Sequence, residues 1–327
     1  GKNAQGKTNL LEAIYFSVVG KSFRASRERE VINMQSDYAK IKVYVKKNIG
    51  KSVIEIIFSK KEKKTVKIDG IPIRRLSQLL GEFNGVFFSP DELKLIKESP
   101  EDRRRFMDID ISQTTKQYVY LLSRYNEILA NRNKQLKQNL PIQELKNIMS
   151  IWNEQLADCA EKIKKYRQNF VISLMPYAQK VHQYITDGKE DLVVEYVTIK
   201  EDSKQDIINK LESCLEKDVQ LGYTTYGVHR DDLKVMVNGV DVRTYGSQGQ
   251  QRTCALSLKL AELSIIEDIT HTRPVLLLDD VLSELDDDRK RRLLQYCKNT
   301  QTFITCTSFD YDVDCKKIHI ENGQIIK

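Results

Sequence analysis

Three short motifs, in a fixed order along the 327-residue chain, constrain its fold more strongly than any other feature. The first is a glycine-bounded loop that ends in lysine and threonine; its residues are Gly1, Lys2, Asn3, Ala4, Gln5, Gly6, Lys7 and Thr8. The second is a polar, glycine-containing run before a helical segment; its residues are Ser247, Gln248, Gly249 and Gln250. The third is an apolar run, 274–280, that ends in the carboxylates Asp279 and Asp280. Together they predict an α/β fold with a nucleotide site at the ends of its strands.

The first motif has the spacing of a phosphate-binding loop. Its two glycines allow backbone N–H groups to curl around phosphates at a helix N-terminus, which carries a partial positive charge. Lys7 is expected to reach the β- and γ-phosphates of ATP, and the Thr8 hydroxyl is expected to ligate Mg²⁺. The whole loop from Gly1 to Thr8 is therefore a predicted nucleotide contact. The alternative is an ordinary glycine-containing helix start.

The two carboxylates that end the third motif are predicted to serve ATP hydrolysis. The run before them is apolar at every position, which is typical of a parallel strand buried on both faces. Carboxylates are costly to hold there without a metal or a bound water. Asp279 is therefore expected to hold Mg²⁺ through its water shell, and Asp280 to polarise the attacking water. The alternative is a structural pair that caps the next helix.

The second motif is predicted to form an anion cradle at a helix N-terminus. The Ser247 hydroxyl and the bare backbone at Gly249 suit this role, although serine is also a common helix cap. A phosphate loop, a Ser-x-Gly-Gln signature and a twin-carboxylate strand, in this order, mark an ABC-type ATPase head. In that design a second head supplies the signature that closes over the first head's ATP. An ATP-dependent homodimer is therefore expected, and residues 283–286 resemble the D-loop that crosses its seam.

Composition excludes several classes of protein. Hydrophobic residues make up 40% of the chain and charged residues 30%, and no apolar run approaches the about 20 residues of a membrane span. No signal peptide is visible, so a cytoplasmic protein without a membrane partner is expected. The six cysteines include no Cys-x-x-Cys pair, which argues against a zinc site and favours reduced thiols.

Positive charge is concentrated in one part of the sequence. Between Lys21 and Arg75 there are 16 Lys and Arg but only 6 Asp and Glu, against 53 and 46 in the whole chain. Such a concentration is typical of a protein that binds a phosphate backbone; the alternative is a lysine-rich solvated surface. The predicted DNA contacts are Arg24, Arg27, Arg29, Lys40, Lys42, Lys46, Lys63, Lys64 and Lys67.

The remaining patterns predict how the chain is divided. A helix follows the phosphate loop, and alternating residues from about residue 40 predict an antiparallel sheet with a lysine-rich outer face. Apolar stripes between about 106 and 185 predict helices that reach only about 35–45 Å, too short for the arms of an SMC protein. We expect a head at 1–105, a compact helical arm lobe at 106–222 and the rest of the head at 223–327. The strand that aims the phosphate loop is expected to precede Gly1.

The sequence resembles the RecF family of bacterial recombination mediators over essentially its whole length. Besides the phosphate loop and the residues 9–13 that follow it, the matching segments are Gly-Lys-Ser-Phe-Arg at 20–24, Phe-Ser-Pro-Asp at 88–91, Pro-Glu-Asp-Arg-Arg-Arg-Phe-Met-Asp at 100–108 and Gly-Val-His-Arg-Asp-Asp-Leu at 227–233. Val228 stands where the family usually has proline. The combination is specific, although no single segment is. The resemblance implies a two-lobed ABC-type head with a helical arm lobe.

Two features of other ABC-type heads are not recognisable in this sequence. No glutamine occurs between Asn84 and Glu98, where a Q-loop is expected, and no histidine stands directly after the predicted strand 302–306, where a switch histidine is expected. In line with the family, Thr307 or Ser308 is expected to contact the γ-phosphate instead. An aspartate as the second carboxylate also sets the base about one methylene further back than glutamate would. These departures favour a slow, DNA-stimulated ATPase that acts as a switch.

The family resemblance implies cofactors and partners as well. The expected cofactors are ATP and Mg²⁺. The expected partners are DNA, both duplex and single-strand/duplex junctions, a second copy of the chain, RecR and RecO, and indirectly RecA, which is loaded onto single strands at gaps. Three alternatives are weighed against this function: a transporter-coupling ATPase, a chromosome-organising ABC/SMC-type head, and a binding module that has lost hydrolysis.

Overall fold

The computed structural model describes residues 5–25, 27–47, 50–138, 140–308 and 311–326. Its helices are α1 (Lys7–Val19), α2 (Lys94–Lys97), α3 (Pro100–Thr114), α4 (Lys116–Leu136), α5 (Ile142–Thr186), α6 (Lys204–Ser213), α7 (Leu215–Leu221), α8 (Val242–Tyr245), α9 (Gln248–Thr270) and α10 (Asp287–Tyr296). Its strands are β1 (Tyr38–Lys46), β2 (Lys51–Ser59), β3 (Thr65–Ile68), β4 (Ile71–Pro72), β5 (Gly85–Phe88), β6 (Leu192–Val197), β7 (Asp232–Val237), β8 (Val240–Asp241), β9 (Val275–Asp279), β10 (Thr302–Thr305), β11 (His319–Glu321) and β12 (Gln324–Ile326).

A parallel sheet of order β10–β9–β5 lies at the centre of the head. The predicted strand 274–280 is confirmed as β9, the middle strand, with Leu276, Leu277 and Leu278 fully buried. Its alternate side chains enter two different cores: Leu277 joins the α1 core, and the other two leucines join the α9 core. Helices thus cover both faces of the sheet, which explains why every position of the strand is apolar. The arrangement places Asp279 at the carboxyl edge of the sheet.

The predicted lysine-rich antiparallel sheet is also confirmed, and strands β1–β4 are called the basic sheet below. Its strands pair in sequence order, and the Asp69-Gly70 turn joins β3 to β4 as the sequence predicts. The inner face packs Ile54, Ile56 and Phe58 into a core shared with α1. The outer face carries the lysines of β1, because side chains alternate between the two faces of a strand.

The helical part of the chain is longer than predicted. Helix α5 has 45 residues and therefore spans about 68 Å, so the predicted reach of 35–45 Å is wrong. The apolar stripe continues past Pro176, which lies inside the helix without ending it. The second half of α5 belongs to the same buried core as α9 and β9. That core takes residues from all three predicted segments, and the division at 105/106 and 222/223 stays a prediction.

Two smaller sheets complete the fold. Strands β6, β7 and β8 form an antiparallel sheet, in which the predicted Asn238-Gly239 turn joins β7 to β8. Strands β11 and β12 form a hairpin whose turn is Asn322-Gly323. Within the described ranges, no helix combines the length and the apolar character that crossing a bilayer requires.

Candidate nucleotide site and nucleic-acid surface

The described part of the phosphate loop lies against the C-terminal hairpin. Gly6 has φ 95°, a left-handed conformation that favours glycine. The Gln5 carbonyl accepts from the Gly323 N–H at 3.0 Å, and the Gln5 side-chain oxygen accepts from the Asn322 N–H at 2.7 Å. A Cβ on Gly6 would stand 3.3 Å from the Gly323 Cα. The hairpin thus supports the loop from behind. The predicted contacts Gly1, Lys2, Asn3 and Ala4 lie outside the described residues.

The predicted Mg²⁺ ligands meet at the carboxyl edge of the parallel sheet. The Thr8 hydroxyl donates to Asp279 Oδ1 at 3.0 Å, although the two residues are 271 positions apart in sequence. A second hydroxyl, that of Thr305, donates to the same oxygen at 2.6 Å. Mg²⁺ in nucleotide sites is usually held by one or two carboxylates together with phosphate oxygens and water. A hydroxyl and a carboxylate side by side fit that donor set.

Lys7 and Asp280 lie at the same edge. The Lys7 amine donates to the Cys306 carbonyl at 3.0 Å, just after β10 ends. Asp280 follows β9 with φ 52°, a left-handed conformation, and its side chain is exposed and makes no capping bond to the next turn. Its N–H is fixed by the Thr305 hydroxyl at 3.0 Å and the Thr305 carbonyl at 3.2 Å. This backbone turn directs the second carboxylate away from the strand and toward solvent.

The residues predicted to contact the γ-phosphate follow strand β10. Thr307 and Ser308 are exposed residues in the segment after β10, directly beyond the Cys306 carbonyl that Lys7 contacts. Their assignment as phosphate contacts stays a prediction.

The predicted signature opens helix α9, as expected. Ser247 caps the helix: its hydroxyl accepts from the Gln250 N–H at 3.2 Å, and the Gln250 side-chain oxygen accepts from the Ser247 N–H at 3.0 Å. This reciprocal capping box leaves Ser247 and Gln248 exposed. Gly249 is half-buried, and a Cβ there would stand 3.7 Å from an Arg289 nitrogen. The serine therefore acts as a helix cap and also presents a helix N-terminus to solvent.

The signature is tied to the predicted D-loop. Arg252, in the first turn of α9, forms a salt bridge with Glu284 and donates to the Glu284 carbonyl at 3.4 Å. Gln250 donates its side-chain amide to Glu190 at 3.1 Å. The neighbours of the signature are thus Glu190, Glu284 and Arg289, whereas those of the phosphate loop are Asp279, Cys306 and the hairpin turn.

The predicted DNA contacts differ in how they are held. Arg24 donates to Asn9 at 2.7 Å and to Glu12 at 2.6 Å, so it is anchored to helix α1. Lys64 pairs with Glu28 and donates to the Gly20 carbonyl. Lys40 and Lys42 share Glu55 at 3.5 and 3.1 Å. The hydrogen bond from Lys42 is the main reason that the pKa of Glu55 lies below its usual value. The other candidates are Arg27, Arg29, Lys46, Lys63 and Lys67, all exposed apart from the half-buried Lys67.

The segment 227–233 joins helices α4 and α5 to strand β7. Asp231 is buried and accepts from Arg167 of α5 at 2.7 Å and from the Thr198 hydroxyl at 2.7 Å. His229 accepts a hydrogen bond from the Tyr125 hydroxyl at 2.7 Å, and burial lowers its pKa to about 4. The imidazole is therefore neutral near pH 7. The segment holds α4, α5 and β7 together.

Two contributors to the site have a role that no sequence motif predicts. Thr305 holds the Asp279 carboxylate and the Asp280 backbone, and its only signal is its position opposite Asp279 in the parallel pairing of β10 with β9. The Asn322-Gly323 turn supports the phosphate loop although it lies more than 300 residues away. Neither is visible before the pairing of the strands is known.

The fold and this arrangement define an ABC-type ATPase head. The model of the RecF/RecN/SMC N-terminal domain family matches residues 1–315. An Smc head bound to the C-terminal winged-helix domain of ScpA has the same fold, with a TM-score of 0.51, 16% identity and coverage of 93% of this chain and 79% of that chain.

Within that class the chain belongs to the RecF family. It is 45% identical to the DNA replication and repair protein RecF of Alkaliphilus oremlandii, covering 99% of this chain and 92% of that protein. It is 42% identical to the RecF of Lachnoclostridium phytofermentans, covering 100% and 89%. A solved structure of the recombination mediator protein RecF-ATP in the RecFOR pathway has a TM-score of 0.89 and 37% identity, covering 99% of this chain and 89% of that chain.

Proposed function

We propose that this chain is a recombination mediator of the RecFOR pathway, in which ATP joins two heads into a clamp on DNA at single-strand gaps. Slow hydrolysis then opens the clamp. With RecR and RecO, the clamp helps to load RecA onto the single strand. The observation that carries the proposal is the meeting of Lys7, Thr8, Asp279 and Asp280 at one sheet edge. The RecF-ATP structure with 37% identity supports ATP as the nucleotide.

The position of the signature supports a site shared between two copies. Helix α9 spans about 35 Å. Strand β9, which follows the C-terminal end of α9 after a short loop, has five residues and spans about 17 Å. A helix packed on the sheet and followed by a short loop runs back roughly antiparallel to the next strand. From these lengths we expect the exposed Ser247 to lie past the carboxylate edge, with its helix N-terminus facing outward. A second copy can receive it over its own phosphate loop.

The chain's own residues account for nucleotide binding and for turnover that depends on a second copy. Lys7 and the backbone of the loop attract the phosphates, and the α1 N-terminus adds its partial positive charge. Thr8 and Asp279 would hold Mg²⁺, which when bound neutralises phosphate charge. Asp280 would accept a proton from the attacking water, and its backbone is fixed by Thr305. The signature of the partner copy would complete the phosphate cage, so turnover depends on dimerisation.

The proposal is tested by ATP-dependent dimerisation and by retention of gapped duplex DNA on a filter. Wild-type protein should shift to a dimer with ATP in sizing chromatography and retain the gapped duplex. Lys7→Arg should weaken the shift, and Ser247→Arg should abolish it with ATP binding intact. Ser247→Thr is the matched control, since threonine also caps helices. An unchanged wild-type monomer peak with ATP would contradict the proposal.

The salt dependence of DNA binding gives a second criterion. With six to ten phosphate contacts, affinity should fall by about 10³–10⁵ between 50 and 200 mM salt.

A binding module without hydrolysis is distinguished by ATP turnover. Turnover at background in both the wild type and Asp280→Asn would favour that module, and a clear loss in the variant favours the switch.

A further inference from the structure

The outer face of the basic sheet presents aromatic rings among its lysines. Along β1 the exposed positions are Tyr38, Lys40, Lys42, Tyr44 and Lys46. The two tyrosines expose 67% and 72% of their surface, which is unusual for side chains of this size on a strand. Of the intervening residues on β1, Ala39, Ile41 and Val45 pack against the core, so the exposed rings and lysines lie on one side of the sheet.

The register of the strands places all of these side chains on one surface. Pairing between β1 and β2 is unbroken from Tyr38 opposite Ser59 to Lys46 opposite Lys51. Glu55 lies opposite both Lys42 on β1 and Lys67 on β3. Within the described strands β1–β4, this face has five lysines and one carboxylate. Its net charge of about +4 complements a phosphate backbone.

Positive charge alone would suit duplex DNA as well as a single strand, but the tyrosines discriminate between them. The bases of a duplex stack on one another and offer the protein little but phosphates and groove edges. The bases of a single strand are free to stack on aromatic rings, while lysines follow its backbone. Tyr38 and Tyr44 stand six residues apart, about 20 Å along the strand. The Lys42 amine lies 5.3 Å from the centre of the Tyr44 ring, so a phosphate site and a stacking site adjoin.

We propose that the outer face of the basic sheet is a single-strand binding platform, on which Tyr38 and Tyr44 stack bases and the surrounding lysines bind phosphates. The inference deepens the proposed function, on which it rests for DNA as the ligand. It adds which form of DNA this face takes and which residues distinguish it. ATP and the dimer are not required for the contact, because the whole face belongs to one copy of the chain.

The test measures binding of the purified protein, without nucleotide, to a fluorescent oligo-dT strand and to a duplex of equal length by anisotropy. Tyr38→Thr and Tyr44→Thr keep a residue that favours strands but remove the ring. Each should weaken oligo-dT binding at least about fivefold, the low end of the stacking contribution per base. Duplex binding should change less than about twofold. Tyr38→Phe and Tyr44→Phe should bind oligo-dT as the wild type does.

Two further variants complete the comparison of DNA binding. Tyr120→Thr is the matched control, because Tyr120 is 54% exposed but lies on helix α4; it should bind as the wild type does. Lys46→Gln should weaken oligo-dT and duplex binding together. Equal oligo-dT affinity in the wild type and both threonine variants would overturn the inference, as would undetectable wild-type binding. Because ATP is absent, failure here is separate from failure of the ATP-driven dimer.

Discussion

At the scale of single residues, the site depends on hydroxyls that orient carboxylates. Asp279 is buried, and one of its oxygens accepts from both Thr8 and Thr305. The Thr305 hydroxyl also accepts from the Asp280 N–H. One side chain therefore holds the Asp279 carboxylate and the backbone from which the Asp280 side chain projects. Partners of this kind, behind the groups that hold a metal, contribute strongly to metal affinity and activity.

Replacement of Thr305 by valine is predicted to impair the site without unfolding the protein. The substitution keeps the size and branching of the side chain but removes the hydroxyl that holds Asp279. The concentration of Mg²⁺ needed for half-maximal ATP turnover should rise about 10- to 100-fold. Thr302→Val on the same strand is the control, because its hydroxyl donates to the Thr300 carbonyl. Equal Mg²⁺ dependence in Thr305→Val and wild type would refute this role.

At the scale of elements, buried charged side chains lie between the signature helix α9 and helix α3. On the inner side of the signature helix, Lys259 of α9 pairs with Glu262 at 2.7 Å and lies 5.3 Å from the Phe106 ring of α3. Asp110 of α3 is buried beside this pair. Burial raises the pKa of Asp110 to about 6 and also raises that of Glu262. The contact between α3 and α9 is therefore sensitive to pH.

Asp110→Asn is predicted to stabilise the protein at high pH. A carboxyl whose folded pKa of about 6 exceeds its ordinary value of 3.8 contributes stability below pH 3.8 that is lost as pH rises through 6. At pH 8 the variant should therefore unfold with a free energy about 1–3 kcal/mol above that of the wild type. Denaturant melts at pH 5 and pH 8 measure this difference, with the exposed Glu101→Gln as control. A variant less stable than the wild type at pH 8 would contradict the assignment.

At the scale of the whole molecule, local patterns predicted most elements but not the contacts between distant segments. The phosphate loop, strand β9, the basic sheet and both Gly-containing turns follow from periodicity and turn chemistry within a few residues. The length of α5 was underestimated, because a proline inside a helix need not end it when surrounding packing supports both halves. The role of Thr305 and the support of Gln5 by Asn322 arise only when strands far apart in sequence pair.

The whole molecule also explains why a single copy is insufficient in this account. The phosphate loop and both carboxylates belong to one sheet edge. The signature instead caps the N-terminus of helix α9, and its residues Ser247 and Gln248 are exposed to solvent. In a two-fold symmetric dimer, the phosphate loop of each copy would face the signature of the other copy, which gives two equivalent sites. The basic sheet lies outside both sets of residues, so DNA and the partner copy need not compete for the same surface.

ATP turnover of a mixture of Lys7→Arg and Ser247→Arg tests the shared site most directly. Each variant alone should be nearly inactive, since the first lacks a working phosphate loop and the second a working signature. In a mixed dimer, the loop of the Ser247→Arg copy meets the intact signature of the Lys7→Arg copy. Mixing should therefore restore measurable turnover. Random pairing would set its ceiling at about a quarter of the wild-type rate, because about half of the dimers would be mixed and each has one intact site of two. The Ser247→Arg side chain at the other site weakens association and keeps the rate below that ceiling. Full turnover by Ser247→Arg alone as a monomer, or no gain on mixing, would contradict the account.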